Sequence, residues 1–191
     1  MRRTISAITL LLATTACATT APQMASMSGE GGMIAPILTT AEARDSLTYA
    51  QPDVARVTHV ALDLDLDFAA QRVGGTAVLD VLAQPGAKEI VLDSNGLEIR
   101  SVTDGAGRPL AYDIGENVEK DGKGAPLTIA LDGAKQIRIA YRAPADASAL
   151  QWLTPEQTAG GKYPFLFSQG QAILNRTWIP TQDSPGIRQT W

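Results

Sequence analysis

The chain has 191 residues, 45% of them hydrophobic and 19% charged, with a formal net charge of -4. That is the make-up of one folded domain with or without a tail, and it carries no Lys/Arg run of the kind that holds nucleic acid. Cys17 is the sole cysteine and His59 the sole histidine. An internal disulfide, a Cys–His nucleophile pair and a zinc site built on several His or Cys ligands are all excluded within this stretch.

The chain opens as an address. Arg2 and Arg3 precede a short apolar run, Ile5 to Ala13, and small residues lead up to Cys17. That order is an export signal, and the run is too short for a membrane span, which takes about 20 apolar residues. Thr14-Thr15-Ala16-Cys17 resembles the cleavage site of bacterial lipoproteins, with Thr14 where Leu is usual. The reading is a signal peptide over 1–17 with lipid on Cys17, placing the protein at the periplasmic face of a bacterial membrane. The competing reading is ordinary signal cleavage nearby. Residues 18–44 are rich in Ala, Thr, Ser, Gly and Met without sustained period, and read as a flexible tether. Met24, Met27 and Met33 are too loosely spaced, with no His beside them, to form a copper-binding string.

The body, 45–191, reads as all-β: an antiparallel, saddle-like sandwich. Val60, Leu62, Leu64, Leu66 and Phe68 alternate with Ala61, Asp63, Asp65 and Asp67, the period of a strand with one buried face. Gly74-Gly75 reads as a break before a second run, Thr76 to Leu82, the two runs making a hairpin with a longer loop. Further strands are expected over Glu89–Asp93, Leu97–Thr103, Pro126–Leu131 and Gln136–Tyr141. The turns expected between them include Asp93-Ser94-Asn95-Gly96, Asp104-Gly105-Ala106-Gly107 and Asp121-Gly122-Lys123-Gly124. Thr154-Pro155-Glu156-Gln157 reads as the capped start of a short helix.

Asp63, Asp65 and Asp67 share the opening of a calcium loop, but Phe68 and Gly74 stand where that loop needs Gly and Glu. They read instead as the solvent face of a strand, with His59 on the same face. Asn175-Arg176-Thr177 matches a glycosylation sequon and is read as chance. From Ala149 onward aromatics and prolines crowd without clear period: Trp152, Tyr163, Phe165, Phe167 and Trp178. Such a stretch is either a packed interdomain edge or a binding surface.

Three blocks in that stretch carry a resemblance: Ala149-Leu150-Gln151-Trp152-Leu153-Thr154-Pro155-Glu156-Gln157-Thr158, Tyr163-Pro164-Phe165-Leu166-Phe167-Ser168-Gln169-Gly170-Gln171-Ala172 and Trp178-Ile179-Pro180-Thr181-Gln182-Asp183-Ser184-Pro185. Each closely resembles the zinc aminopeptidases of the leukotriene A(4) hydrolase type. The strand region resembles the amino-terminal β-domain of the same family. The resemblance implies that the domain lends one edge of a peptide-binding cleft. It implies that Gln169, Gly170 and Gln171 line the substrate site, with Gln171 holding the peptide's free amino group. An amide carbonyl accepts a hydrogen bond from an ammonium without competing for a metal. Gly170 and Thr181 stand where the family has cysteines, which suits an exported protein that avoids free thiols.

The resemblance also implies zinc and a catalytic domain, neither supplied by this chain. The family's Gly-x-Met-Glu-Asn and His-Glu-x-x-His motifs do not occur before Trp191. Ile187-Arg188-Gln189-Thr190-Trp191 looks like the opening of another strand, so a truncated reading frame or a fragment of a longer protein is expected. The expected function is the substrate-edge domain of an exported aminopeptidase acting on peptides, with no metal ligand and no activity alone. Epoxide hydrolysis is not implied. The alternatives are a stand-alone, non-catalytic β-sandwich lipoprotein that binds a peptide or protein partner across Trp152–Trp178, and a remnant without present function.

Overall fold

A computed structural model describes residues 44–118 and 122–191. The signal peptide, Cys17, all of the tether but Arg44, and Asp121 lie outside the described residues. Among the described residues nine strands carry the fold: β1 (Ala55–Asp67), β2 (Arg72–Ala83), β3 (Glu89–Ser94), β4 (Glu98–Asp104), β5 (Tyr112–Ile114), β6 (Ala125–Ala130), β7 (Gln136–Arg142), β8 (Leu150–Leu153) and β9 (Phe165–Ser168). They pair antiparallel into a four-stranded sheet β1-β2-β7-β4, a three-stranded sheet β3-β6-β5 and a hairpin β8-β9. The domain is all-β, as the alternation predicts.

The core forms where the inward faces of the first two sheets meet. Val60, Leu79, Ile137 and Ile139 of the larger sheet pack in one cluster with Ile90, Leu92, Leu127 and Ile129 of the smaller. The alternation in β1 holds in direction but not in depth. Val60 is buried, Leu62 and Leu64 are half-buried, and Leu66 and Phe68 are exposed, because the β1-β2 hairpin runs past the end of the core. A bulge between Val57 and His59 reverses the parity, so Val57 and Val60 both face inward. Asp63, Asp65 and Asp67 are exposed on the outer face.

Gly74-Gly75 does not break the chain. Both lie inside β2, paired with Asp65 and Leu64, and the hairpin turns at 68–71 instead. The glycines are needed for close approach. Gly75 has φ +146°, and a Cβ there would meet the Asp63 carbonyl and sit 2.9 Å from Leu64 Cα. Two other expectations change. Asp93 and Ser94 are the buried end of β3, so only Asn95-Gly96 is left to turn. The aromatic third is partly regular: in β8-β9, Leu150, Trp152 and Leu166 pack on the core while Phe165 and Phe167 stay exposed. The expected helix is a single 3-10 turn, Pro155–Gln157, with the Gln157 amide oxygen accepting the Thr154 N–H at 2.9 Å.

The segment after β9 closes the sandwich. β1 and β3 are edge strands of the two sheets. Thr181 bridges to Asp93 of β3, and Thr190 bridges to His59 of β1. Between them Gln182, fully buried, joins both edges. Its Oε1 accepts the Val57 N–H at 3.0 Å, and its Nε2 donates to the Ala55 and Val91 carbonyls at 3.0 and 3.1 Å. Edge groups that would otherwise lie open are thereby paired.

Candidate substrate-edge site

The site grows from a buried ionic cluster. Arg176 is fully buried, a position a guanidinium holds only when its donors are met. Its Nη1 donates to the Leu47 and Lys123 carbonyls at 2.7 and 2.8 Å, and its Nη2 to the Asp183 carbonyl at 2.5 Å. Its Nε lies 3.4 Å from Asp183 Oδ2, and Nη2 lies 3.8 Å from Asp93 Oδ2. Asp93 accepts the Thr48 hydroxyl at 2.6 Å and the N–H groups of Tyr49 and Asp183 at 2.8 and 2.9 Å. One guanidinium thus serves two carboxylates. Burial pushes both the Asp93 and the Asp183 carboxyl above the ordinary carboxylate value, with Arg176 and the hydrogen bonds pulling the other way.

The loop after β9 is anchored on this cluster. Asn175 Nδ2 donates to Asp183 Oδ1 at 3.3 Å, and the Arg176 N–H donates to Asp183 Oδ2 at 3.0 Å. The Gln169 N–H reaches the Ala149 carbonyl at 2.8 Å, and the Leu174 N–H reaches the Gly170 carbonyl at 2.9 Å. Gln169 Oε1 accepts the Gln171 N–H at 2.9 Å and closes the turn between them. Gly170 has a steric reason to be glycine: a Cβ there would stand 2.6 Å from Asn175 Cγ. Its place is explained by this contact, whatever the demand to avoid thiols. Thr181 is likewise fully used, buried, with its hydroxyl on Gln189 Oε1 at 2.8 Å.

An open cleft of about 850 Å³ lies against this loop. Gly170, Gln171 and Asn175 line it together with Trp178, Arg188 and Trp191. Of the three residues singled out from sequence, Gly170 and Gln171 therefore border the cleft, and Gln169 builds the turn that presents them. Gln171 is exposed. The lining offers amides, indoles and a guanidinium; Asp183, also in it, is held by Arg176 and Asn175, and the Ser184 hydroxyl donates to Asp45. Among the described residues no group of three or more His, Cys, Asp or Glu side chains is placed to hold a metal ion. His59 stands elsewhere, its Nδ1 2.7 Å from Thr190 Oγ1.

The sequence did not point to Arg176, Asp183, Asp93 or Asn175. The one signal for Asn175-Arg176-Thr177 was a sequon, yet Arg176 and Thr177 are buried and Asn175 is held by Asp183.

The Peptidase M1 N-terminal domain family matches residues 52–191. Leucine aminopeptidase 2 of Yarrowia lipolytica is 38% identical over 152 residues, covering 78% of this chain and 23% of its own length. A leukotriene A-4 hydrolase homolog of Botryotinia fuckeliana is 33% identical over 156 residues, covering 78% and 24%. The yeast LTA4 hydrolase structure in complex with bestatin superposes with a TM-score of 0.68 at 28% identity, covering 76% of this chain and 23% of the other. The chain spans about a quarter of the length of the curated relatives it matches.

Proposed function

The chain belongs to the M1 peptidase family through that family's amino-terminal domain, and from that premise we propose that it forms the substrate edge of an exported, zinc-dependent aminopeptidase. The parent removes amino-terminal residues from peptides, in keeping with relatives named leucine aminopeptidase 2. The observation that carries the reading is the place of Gln171, exposed on a loop that borders the open cleft. There its side-chain carbonyl accepts a hydrogen bond from the ammonium of the bound peptide. Zinc, which would activate the attacking water, belongs to a catalytic domain outside this chain, and the chain alone is inactive. The exposed Phe165 and Phe167 of β9 suit burial against that domain. Export follows from residues 1–17, with lipid on Cys17 holding the parent to the membrane.

The test uses the complete protein from its source membrane. It is expected to hydrolyse aminoacyl arylamides and short peptides, to lose activity to a chelator and to regain it with zinc. Gln171→Ala is expected to lower kcat/KM roughly tenfold to a hundredfold, the worth of one hydrogen bond to a charged group. An active enzyme with kcat/KM unchanged by Gln171→Ala refutes the role of Gln171, and absence of peptidase activity refutes the function. Metabolic lipid labelling that is equal in wild type and Cys17→Ser refutes the anchor.

A further inference from the structure

The turn that presents Gln171 belongs to no strand or helix. Its backbone is set by contacts that lead inward one after another. Gln171 follows Gly170, whose Cα lies against the Asn175 amide where a side chain would otherwise stand. That amide donates to Asp183, and Asp183 is locked by the N–H and guanidinium of the fully buried Arg176. Asn175 also borders the cleft. We infer that Asn175 is a positioning residue for Gln171, acting through Gly170, and that Gly170 and Asn175 form a coupled pair. Only glycine leaves room for the amide. In turn, the amide both reaches Asp183 and fills the space beside Gly170.

A side chain that only satisfied Asp183 would serve stability alone. The packing on Gly170 adds a second consequence, because Gly170 cannot shift without carrying Gln171 with it. A displaced amide loses its hydrogen bond to the peptide ammonium, and a hydrogen bond to a charged group is worth roughly tenfold to a hundredfold in binding. The inference rests on the proposed role of Gln171, so the test must tell the two apart.

The experiment measures kcat and KM for a short peptide in the complete protein, with thermal unfolding of each variant beside them. Asn175→Ala is expected to raise KM roughly tenfold to a hundredfold with kcat within about threefold, and Gln171→Ala in that background is expected to add little. Asn175→Ser, which keeps a polar group but leaves Gly170 uncovered, is expected to behave alike and guards against a variant that fails to fold. Gly170→Ala is expected to raise KM to a similar extent, and to have far less effect once Asn175→Ala has removed the amide it collides with. The inference is overturned if Gln171→Ala raises KM while both Asn175 variants leave it unchanged. It is overturned equally if Asn175→Ala and Gln171→Ala add independently, or if the Asn175 variants lower only the unfolding temperature. If Gln171→Ala leaves KM unchanged in an active enzyme, the role of Gln171 falls first and the positioning role falls with it.

Discussion

Replacing Arg176 with Met tests whether the buried cluster holds the site side of the domain together. The substitution keeps much of the aliphatic volume and removes the guanidinium. It strips partners from the Leu47, Lys123 and Asp183 carbonyls and leaves Asp93 and Asp183 buried without their cation. Breaking a buried pair by removing one member costs about 3–5 kcal/mol, because the remaining charge stays desolvated. The cost must depend on pH. Asp93 and Asp183 already titrate above the ordinary value of 3.8. A carboxyl whose native pKa is raised holds more protons folded than unfolded, so stability is kept at low pH and lost as pH rises through the native pKa. Loss of Arg176 raises both native values further. The deficit of Arg176→Met is therefore expected to be smallest near pH 4, to grow as pH rises and to level off above the new native values. Urea unfolding followed by tryptophan fluorescence, repeated from pH 4 to pH 8, measures this. A deficit below about 1 kcal/mol at pH 7, or one independent of pH, would refute the assignment of the cluster as the anchor.

Further outcomes follow from the same geometry. Gln182→Leu leaves the Val57 N–H and the Ala55 and Val91 carbonyls unpaired between the two sheet edges, and is expected to destabilise by about 2–4 kcal/mol in the same urea assay. Gly75→Ala forces a methyl against the Asp63 carbonyl at φ +146°, and is expected to lose about 2–4 kcal/mol or to prevent β1-β2 from pairing, visible as lost strand signal in circular dichroism. Thr190→Val removes an exposed contact to His59, and is expected to change stability by less than about 1 kcal/mol.

The strands that could be read from sequence are those in which a long run alternates against one core. β1 carries its period over enough residues to survive even the bulge before His59. Boundaries of β3, β4, β6 and β7 fall within a residue of expectation because turn-forming residues flank them. β5, β8 and β9 are three or four residues long, too short to establish a period, and were not expected. Gly74-Gly75 misled for a physical reason: glycine marks a turn and a close backbone approach alike, and only the partner strand decides between them. The ionic cluster was illegible because its members are far apart in the chain. Asp93 and Asp183 meet across ninety residues, and each alone looks like a surface turn residue.

The three blocks that carry the resemblance divide their labour unevenly. In Trp178–Pro185 most of the side chains are buried, and Thr181, Gln182 and Asp183 are engaged in hydrogen bonds that close the sheet edges and hold Arg176. In the block ending at Gln171 and Ala172, Gln169 serves the turn and Gly170 yields space, while Gln171 borders the cleft beside Asn175, Gln182 and Gln189. Much of the Trp178–Pro185 block therefore seals the chain's own edges and seats a charged cluster in a low-dielectric interior. Both demands tolerate few residue types, since each buried donor and charge needs its partner. That rigidity also makes a loop outside any strand fit to hold a recognition group. Asn175 is tied to the buried cluster through Asp183 and packs against Gly170, the residue that precedes Gln171.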